Sequence, residues 1–172
     1  MTAVGAAEGA DRGLVVVDID GVVADVSHRL VHLRTQPRDW DAFFAAMVDD
    51  PLLTESEAVA NRAARDHDLA WITGRPARYA DVTARWLSSH RLPEGPVHHR
   101  RDGDRRPADV FKLHTVRRLA RTRRVVLVVD DDPTVCTALR AAGFGVFHAT
   151  WARLDDDRWQ TLRAAQQQDG RT

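Results

Sequence analysis

The apolar residues of this chain come in short blocks of two kinds. Leu14-Val15-Val16-Val17 is wholly apolar, largely β-branched, and stops at Asp18. Such a run, with no polar alternation, predicts a strand buried on both faces. Leu69-Ala70-Trp71-Ile72 repeats the pattern and stops at Thr73-Gly74, and Val125-Val126-Leu127-Val128-Val129 repeats it again and stops at Asp130. Gly145-Val146-Phe147-His148 is a weaker fourth strand, and Pro96-Val97-His98 a candidate fifth. Between these blocks the spacing turns helical. Glu55 to Asp66 carries Ala58, Val59, Arg62 and Ala63, and Ala77 to His90 carries Val82, Trp86 and Leu87. Pro107 to Arg121 and Pro133 to Ala142 each begin on proline, a good first-turn residue, and the second stops at Gly143. Asp155 to Gln168 reads as a final helix running into a polar tail at 169–172. Strands alternating with helices predict an α/β fold with a central parallel sheet and helices on both faces.

The segment 25–53 fits neither period and reads as a small helical insertion beside the first strand, with Trp40, Phe43 and Phe44 as its packing core. Residues 1–12 read as a loose N-terminal tail, and the whole as a single domain. A chain of 172 residues can bury a core without disulfides, and its one cysteine, Cys136, excludes an internal disulfide. Val135, Ala138, Leu139 and Ala142 at helical spacing place that cysteine as a small buried residue. No apolar run approaches the roughly 18 residues that span a membrane, and the N-terminus lacks the apolar stretch of a signal peptide. The expected compartment is therefore cytoplasmic. Net charge is zero, so the chain as a whole is not drawn to polyanions. The charge is uneven, however: His98 to Arg124 holds nine Arg and one Lys against three Asp.

The chemistry collects where the apolar runs stop. Asp18, Thr73 and Asp130 each follow such a run, and ligands of an open parallel sheet bind beyond the carboxyl ends of its strands. The three residues are thus expected to face one crevice rather than merely to begin three surface loops. Asp18-Ile19-Asp20-Gly21 sets two carboxylates close together, with a glycine for the turn. Neighbouring carboxylates resist joint ionisation unless a cation sits between them, and Mg2+ accepts carboxylate oxygens together with phosphate. Lys112 is the only lysine beside 24 arginines, which suggests a position that needs a compact point charge.

These residues together resemble a known family. Asp18-Ile19-Asp20-Gly21-Val22-Val23-Ala24-Asp25 is similar to the first motif of the haloacid dehalogenase (HAD) phosphatase superfamily. Trp71-Ile72-Thr73-Gly74-Arg75-Pro76 resembles its second motif, Lys112 its third and Val129-Asp130-Asp131-Asp132 its fourth, in the same order. The resemblance implies a HAD-like Rossmannoid three-layer sandwich with a minimal cap insertion at 25–53. It also implies an Mg2+-dependent phosphomonoester hydrolase. In that scheme Asp18 is the nucleophile that forms an aspartyl-phosphate, and Asp20 is the general acid and base. Thr73 and Lys112 stabilise the phosphoryl group, and Asp18, Asp20 and Asp130 hold the metal, Asp20 through its backbone carbonyl, with Asp131 in support.

Within the superfamily, Arg100 to Lys112, Thr73-Gly74-Arg75 and the course from Asp130 to Trp151 resemble the 3′-phosphatase domain of phage-type polynucleotide kinase/phosphatase. That implies nucleic-acid 3′ ends as substrate partners, with Thr73, Gly74, Arg75, Arg100 and Lys112 as substrate contacts. The chain has no glycine-rich lysine loop of a kinase half. A small-molecule phosphatase, acting on a nucleotide or sugar phosphate, is the alternative within the class. A non-catalytic binding module of the same fold is the alternative outside it, and the presence of Asp18, Asp20 and Lys112 argues against it. His28, eight residues beyond Asp20, either caps the insertion or touches substrate.

Overall fold

Strand β1 (Leu14–Asp18) is buried along its whole length, and its alternating side chains feed two separate cores. Val15 and Val17 join Ala60, Leu69, Trp71, Trp86 and Leu87 on one face. Leu14 and Val16 join Ala70, Ile72, Phe111, Val116, Val128 and Leu139 on the other. The period-two alternation of a strand is still present, but both faces are apolar, so the sequence shows a solid run. The computed structural model describes residues 12–152 and 156–169; the expected N-terminal tail up to residue 11 lies outside them. The other strands are β2 (Asp68–Pro76), β3 (Val97–Arg100), β4 (Val125–Asp130) and β5 (Val146–His148). They form one sheet of order β3-β2-β1-β4-β5, parallel throughout.

The α-helices are α1 (Trp40–Ala45), α2 (Thr54–Asp66), α3 (Ala80–Ser89), α4 (Ala108–Ala120), α5 (Pro133–Ala141) and α6 (Asp156–Asp169). Residues of α2 and α3 cover the first sheet face, and residues of α4 and α5 the second, giving the expected three layers. Strand and helix positions follow the hydrophobic pattern, with three differences. The strands outrun their apolar blocks: β1 includes Asp18, β2 continues through Thr73 to Pro76, and β4 includes Asp130. A parallel ladder is made of backbone groups and does not stop where the side chains turn polar. Helix α2 is turned part-way from the expected face: Val59 and Ala63 pack against the core as expected, Ser56 and Ala60 are buried with them, and Ala58 and Arg62 are exposed. Ser56 tolerates burial because its hydroxyl donates to the Leu53 carbonyl. Finally, α6 runs through Asp169, so that residue is no tail: its carboxylate accepts the Trp40 indole N–H at 2.7 Å and pairs with Arg38 at 3.3 Å.

The insertion leaves and returns at one point. Asp25 N–H donates to Pro51 O and Leu53 N–H to Val23 O, both at 2.9 Å, around an Ala24–Leu52 bridge. Between these ties lie a 3-10 turn at Ser27–Leu33, α1, and a second 3-10 turn at Ala46–Asp49. Trp40, Phe43 and Phe44 form the insertion's core, as expected, with ring centroids 5.4–5.8 Å apart. Leu162 and Ala165 of α6 close that core from the far end of the chain. Cys136 is buried, and burial pushes its thiol up to about 12, which leaves it protonated and inert.

Candidate active site

The carboxyl edge of the parallel sheet gathers the residues that end the apolar runs. Asp18 lies opposite Ile72, one residue before Thr73, and Val17 lies opposite Val129, one residue before Asp130. Beyond β1 the chain turns at Gly21, where φ is +81°, and a Cβ there would collide with the Asp131 carboxylate. Glycine is therefore needed for two reasons: the left-handed backbone and the close approach of a neighbouring acid. The turn is anchored from outside by Trp151, whose indole N–H donates to Val22 O at 2.8 Å. Asp132 caps α5 by accepting from Thr134 N–H at 2.7 Å and also lines the crevice beside Asp131, while Asp130 is buried behind it.

Three buried carboxylates converge there. Ligand oxygens of Asp18, Asp130 and Asp131 lie within 4.8 Å of one another. Lys112, from α4, reaches them with Nζ 2.9 Å from Asp18 Oδ2 and 2.8 Å from Asp130 Oδ2. Burial pushes the Asp18 carboxyl up to about 7, against the pull of Lys112 and with the added push of Asp130 and Asp20. Burial first, then Asp18 and Asp130, holds Asp131 well above the usual carboxylate range, and burial raises Asp130 as well. Burial disfavours a charged Lys112, but Asp130 and Asp18 outweigh it and keep the ammonium protonated. Three acids against one ammonium leave the group short of positive charge. A hard divalent cation with oxygen ligands fits that donor set.

Asp20, expected in the same group, is held differently. Its Oδ1 accepts from Arg29 Nη2 at 2.7 Å and from Arg75 Nη2 at 2.6 Å. The side chain thus belongs to a second cluster and does not join the three acids. Burial works to raise its pKa, but the two guanidiniums win and hold it well below the usual range. Asp50 completes this cluster. It accepts from Arg29 Nε and Nη2 and from Arg75 Nη2, each at 2.8 Å, and His28 Nε2 lies 2.9 Å away. Burial raises the Asp50 carboxyl against the pull of the arginines. Arg29 also lies over the Phe43 ring at 4.3 Å. One nitrogen of each guanidinium, Arg29 Nη1 and Arg75 Nη1, is buried without an acceptor.

The sequence-predicted residues therefore separate. Asp18, Asp20, Gly74, Lys112 and Asp131 line one narrow crevice of about 30 Å3. Thr73 is buried beside it, and its hydroxyl accepts the Arg75 N–H at 3.1 Å, which leaves its own proton free to donate. Arg75 is sequestered in the second cluster and does not lie open to solvent. Arg100 is outside the crevice; it lines a neighbouring cleft, where its Nη1 donates to Arg106 O at 2.6 Å. His28 joins Asp50, on the insertion's inner side. Arg29 and Asp50 were not foreseen as site residues. The available signal was a charge at a core position: Val26, Leu30 and Leu33 have helical spacing, and Arg29 falls on their buried side.

The family described as polynucleotide kinase PNKP phosphatase domain matches residues 12–152. No curated protein matches the chain. Among solved structures, a chain of the Pnkp1/Rnl/Hen1 RNA repair complex superimposes with a TM-score of 0.66 at 18% identity. That match covers 87% of this chain and 46% of the other. A second Pnkp1/Rnl/Hen1 complex gives 0.65 at 19%, over 86% and 49%. This chain thus spans about half the length of those relatives. A haloacid dehalogenase-like hydrolase from Streptococcus pneumoniae gives 0.62 at 11%, over 86% and 89%. At such identities the structural likeness shows the fold, and the fold is that of HAD phosphatases.

Proposed function

This chain belongs to the PNKP phosphatase domain family, and on that premise we propose that it hydrolyses phosphomonoesters through an aspartyl-phosphate on Asp18, with Mg2+ as cofactor and polynucleotide 3′ ends as its substrate. One observation carries the reading: three buried carboxylates converge on the chain's only lysine at the carboxyl edge of a parallel sheet. Asp18, Asp130 and Asp131 would hold the cation, with the Asp20 backbone carbonyl beside them. When bound, the cation supplies charge neutralisation between an anionic nucleophile and an anionic ester.

The protein's own groups do the rest. An Asp18 carboxylate oxygen forms a bond to phosphorus as the bond to the leaving oxygen breaks. Lys112, already beside Asp18, donates to the phosphoryl oxygens, and the free Thr73 hydroxyl proton donates to another. Asp20 gives its proton to the leaving oxygen and later takes one from the attacking water. In the arrangement described here Asp20 is ion-paired and unprotonated. Its acid role needs those ion pairs with Arg29 and Arg75 to loosen, because only a carboxyl released from them can bind a proton.

The test is a screen of purified protein with Mg2+ against an aryl phosphate, 3′-phosphorylated oligonucleotides, nucleotides and sugar phosphates. Hydrolysis of the aryl phosphate that is lost in Asp18→Asn supports the mechanism. A free nucleotide or sugar phosphate that outcompetes every oligonucleotide at matched salt overturns the substrate and leaves a small-molecule phosphatase.

A further inference from the structure

The crevice that holds Asp18 and Lys112 is narrow, about 30 Å3, whereas a cleft beside it offers about 250 Å3. The two share Phe44 and Gly74, so they adjoin. Whatever is esterified to a phosphate in the crevice must extend outward, and the cleft adjoins the crevice with space to receive it.

The cleft is lined by Arg78, Arg100, Arg101 and Arg105 against Asp41 and Asp104. Most of this charge is already committed. Arg78 pairs with Asp41 at 3.1 Å and Asp102 at 3.5 Å and lies over Tyr79. Buried Arg100 donates to the carbonyls of Asp104 and Arg106 and stacks on Phe111 at 4.7 Å. Asp104 takes the Arg106 guanidinium at 2.6 Å and its backbone N–H at 3.0 Å; the Arg106 hydrogen bonds are the largest influence and hold the carboxyl at about 2. With Gly103 turning at φ +78°, these contacts brace the loop between β3 and α4. Arg101 and Arg105 stand on that braced loop, exposed, and neither side chain makes an ion pair or hydrogen bond among the described residues.

On the reading that Asp18 is the nucleophile of a phosphomonoesterase, we infer that this cleft is a second anion subsite. It binds a further phosphate group of the same substrate molecule through Arg101 and Arg105. Guanidinium suits phosphate oxygens, and a loop already fixed by its neighbours loses little freedom on binding. Arg106, spent on Asp104, is excluded from the subsite, and so are Arg117 and Arg118 of α4, which do not line the cleft. The second phosphate can be a phosphodiester of a chain or a second monoester of a small molecule.

The experiment compares wild type with Arg101→Gln/Arg105→Gln at matched ionic strength with Mg2+. The substrates are an aryl phosphate, a nucleoside 3′-monophosphate, a nucleoside 3′,5′-bisphosphate and a 3′-phosphorylated dinucleotide. The first two should be unchanged, and the last two should lose about tenfold in kcat/KM, carried by KM, as for one charge-assisted hydrogen bond. Loss on the bisphosphate alone assigns the subsite to a second monoester, and loss on the dinucleotide to a diester. Equal loss on all four substrates, or none on the last two, overturns the subsite. Calorimetric binding of the bisphosphate to Asp18→Asn protein, with and without the two glutamines, reads the subsite without turnover, and unchanged affinity overturns it there too. The phosphatase reading fails separately, if wild type and Asp18→Asn are equally active or equally inert on the aryl phosphate.

Discussion

Two buried charge clusters lie next to each other at the carboxyl edge of this sheet, and they are balanced differently. The first sets Asp18, Asp130 and Asp131 against Lys112 alone. The second sets Asp20 and Asp50 against Arg29 and Arg75. Three acids with one base remain short of a cation; two acids with two bases do not. Origin differs as well. The first cluster comes from two strand ends, the residue after one of them and one helix, all inside the α/β layers. The second straddles two parts of the molecule: Asp20 and Arg75 from the sheet edge, Arg29 and Asp50 from the insertion. One cluster carries an excess of acid, and the other ties the insertion to the carboxyl edge of the sheet.

The sharpest test of that contrast is Asp18→Asn. It should lower turnover of an aryl phosphate by about 10⁴-fold or more, the scale expected when a nucleophile is removed. The folded state should survive, because the change removes one of three mutually repelling acids while Lys112 keeps Asp130 at 2.8 Å. Circular dichroism melts check the second half of the statement. An Asp18→Asn enzyme with substantial turnover would take that residue out of the nucleophile's role.

Removing the metal comes next. Chelation with EDTA should stop hydrolysis, and Mg2+ should restore it. Saturating Mg2+ at about 100 times its Kd should also stabilise the fold by about 2.7 kcal/mol. Asp131→Asn should weaken that stabilisation, and Asp50→Asn should leave it in place. Equal loss in both variants would mean that the clusters are one electrostatic unit.

Asp50 gives the opposite sign from Asp18 in stability. Asp50→Asn leaves two buried guanidiniums short of a counter-charge, and breaking a buried pair in this way costs about 3–5 kcal/mol. Chemical denaturation should read that loss. In metal-free protein, Asp131→Asn should instead be neutral or stabilising. Destabilisation of the same size in both would erase the distinction between a deficient and a balanced cluster.

The clusters also differ in how far the sequence revealed them. Asp18, Thr73 and Asp130 each stand directly after an apolar run, so one-dimensional spacing and the rule for parallel sheets bring them together. Lys112 was conspicuous as the only lysine. The second cluster joins positions 9, 21, 25 and 55 residues apart, and two of its members lie in the segment that fits no period. No local pattern states which arginine of 24 meets which aspartate. The cover of the insertion by α6 was hidden in the same way: Trp40 and Asp169 meet across 129 positions. The arginine-rich stretch was legible only as composition. Separating the loop-bracing Arg100 and Arg106 from the uncommitted Arg101 and Arg105 required the contacts themselves.

The smallest expected effect lies in the pH dependence of stability, and it sets the clusters against each other. Without metal, burial holds the Asp18 carboxyl at about 7 against an ordinary 3.8. A proton bound more tightly by the folded chain than by the unfolded one favours folding at low pH. That contribution is complete below 3.8 and is lost as pH rises to about 7. Asp20 runs the other way: burial opposes its charge, but Arg29 and Arg75 depress its pKa, so its contribution is present above 3.8 and fades only in more acid solution. Between those limits the first cluster titrates and Asp20 does not. In EDTA, Tm should therefore fall as pH rises from about 4 to about 7, by roughly 2–4 °C per kcal/mol for a chain of this size. Asp18→Asn should flatten that slope. Saturating Mg2+ should flatten or reverse it, because the cation then supplies the positive charge that the proton supplied. A metal-free Tm that holds level or rises across the same window would mean that Lys112 alone balances the three acids, and the cluster would have no deficit for a metal to fill.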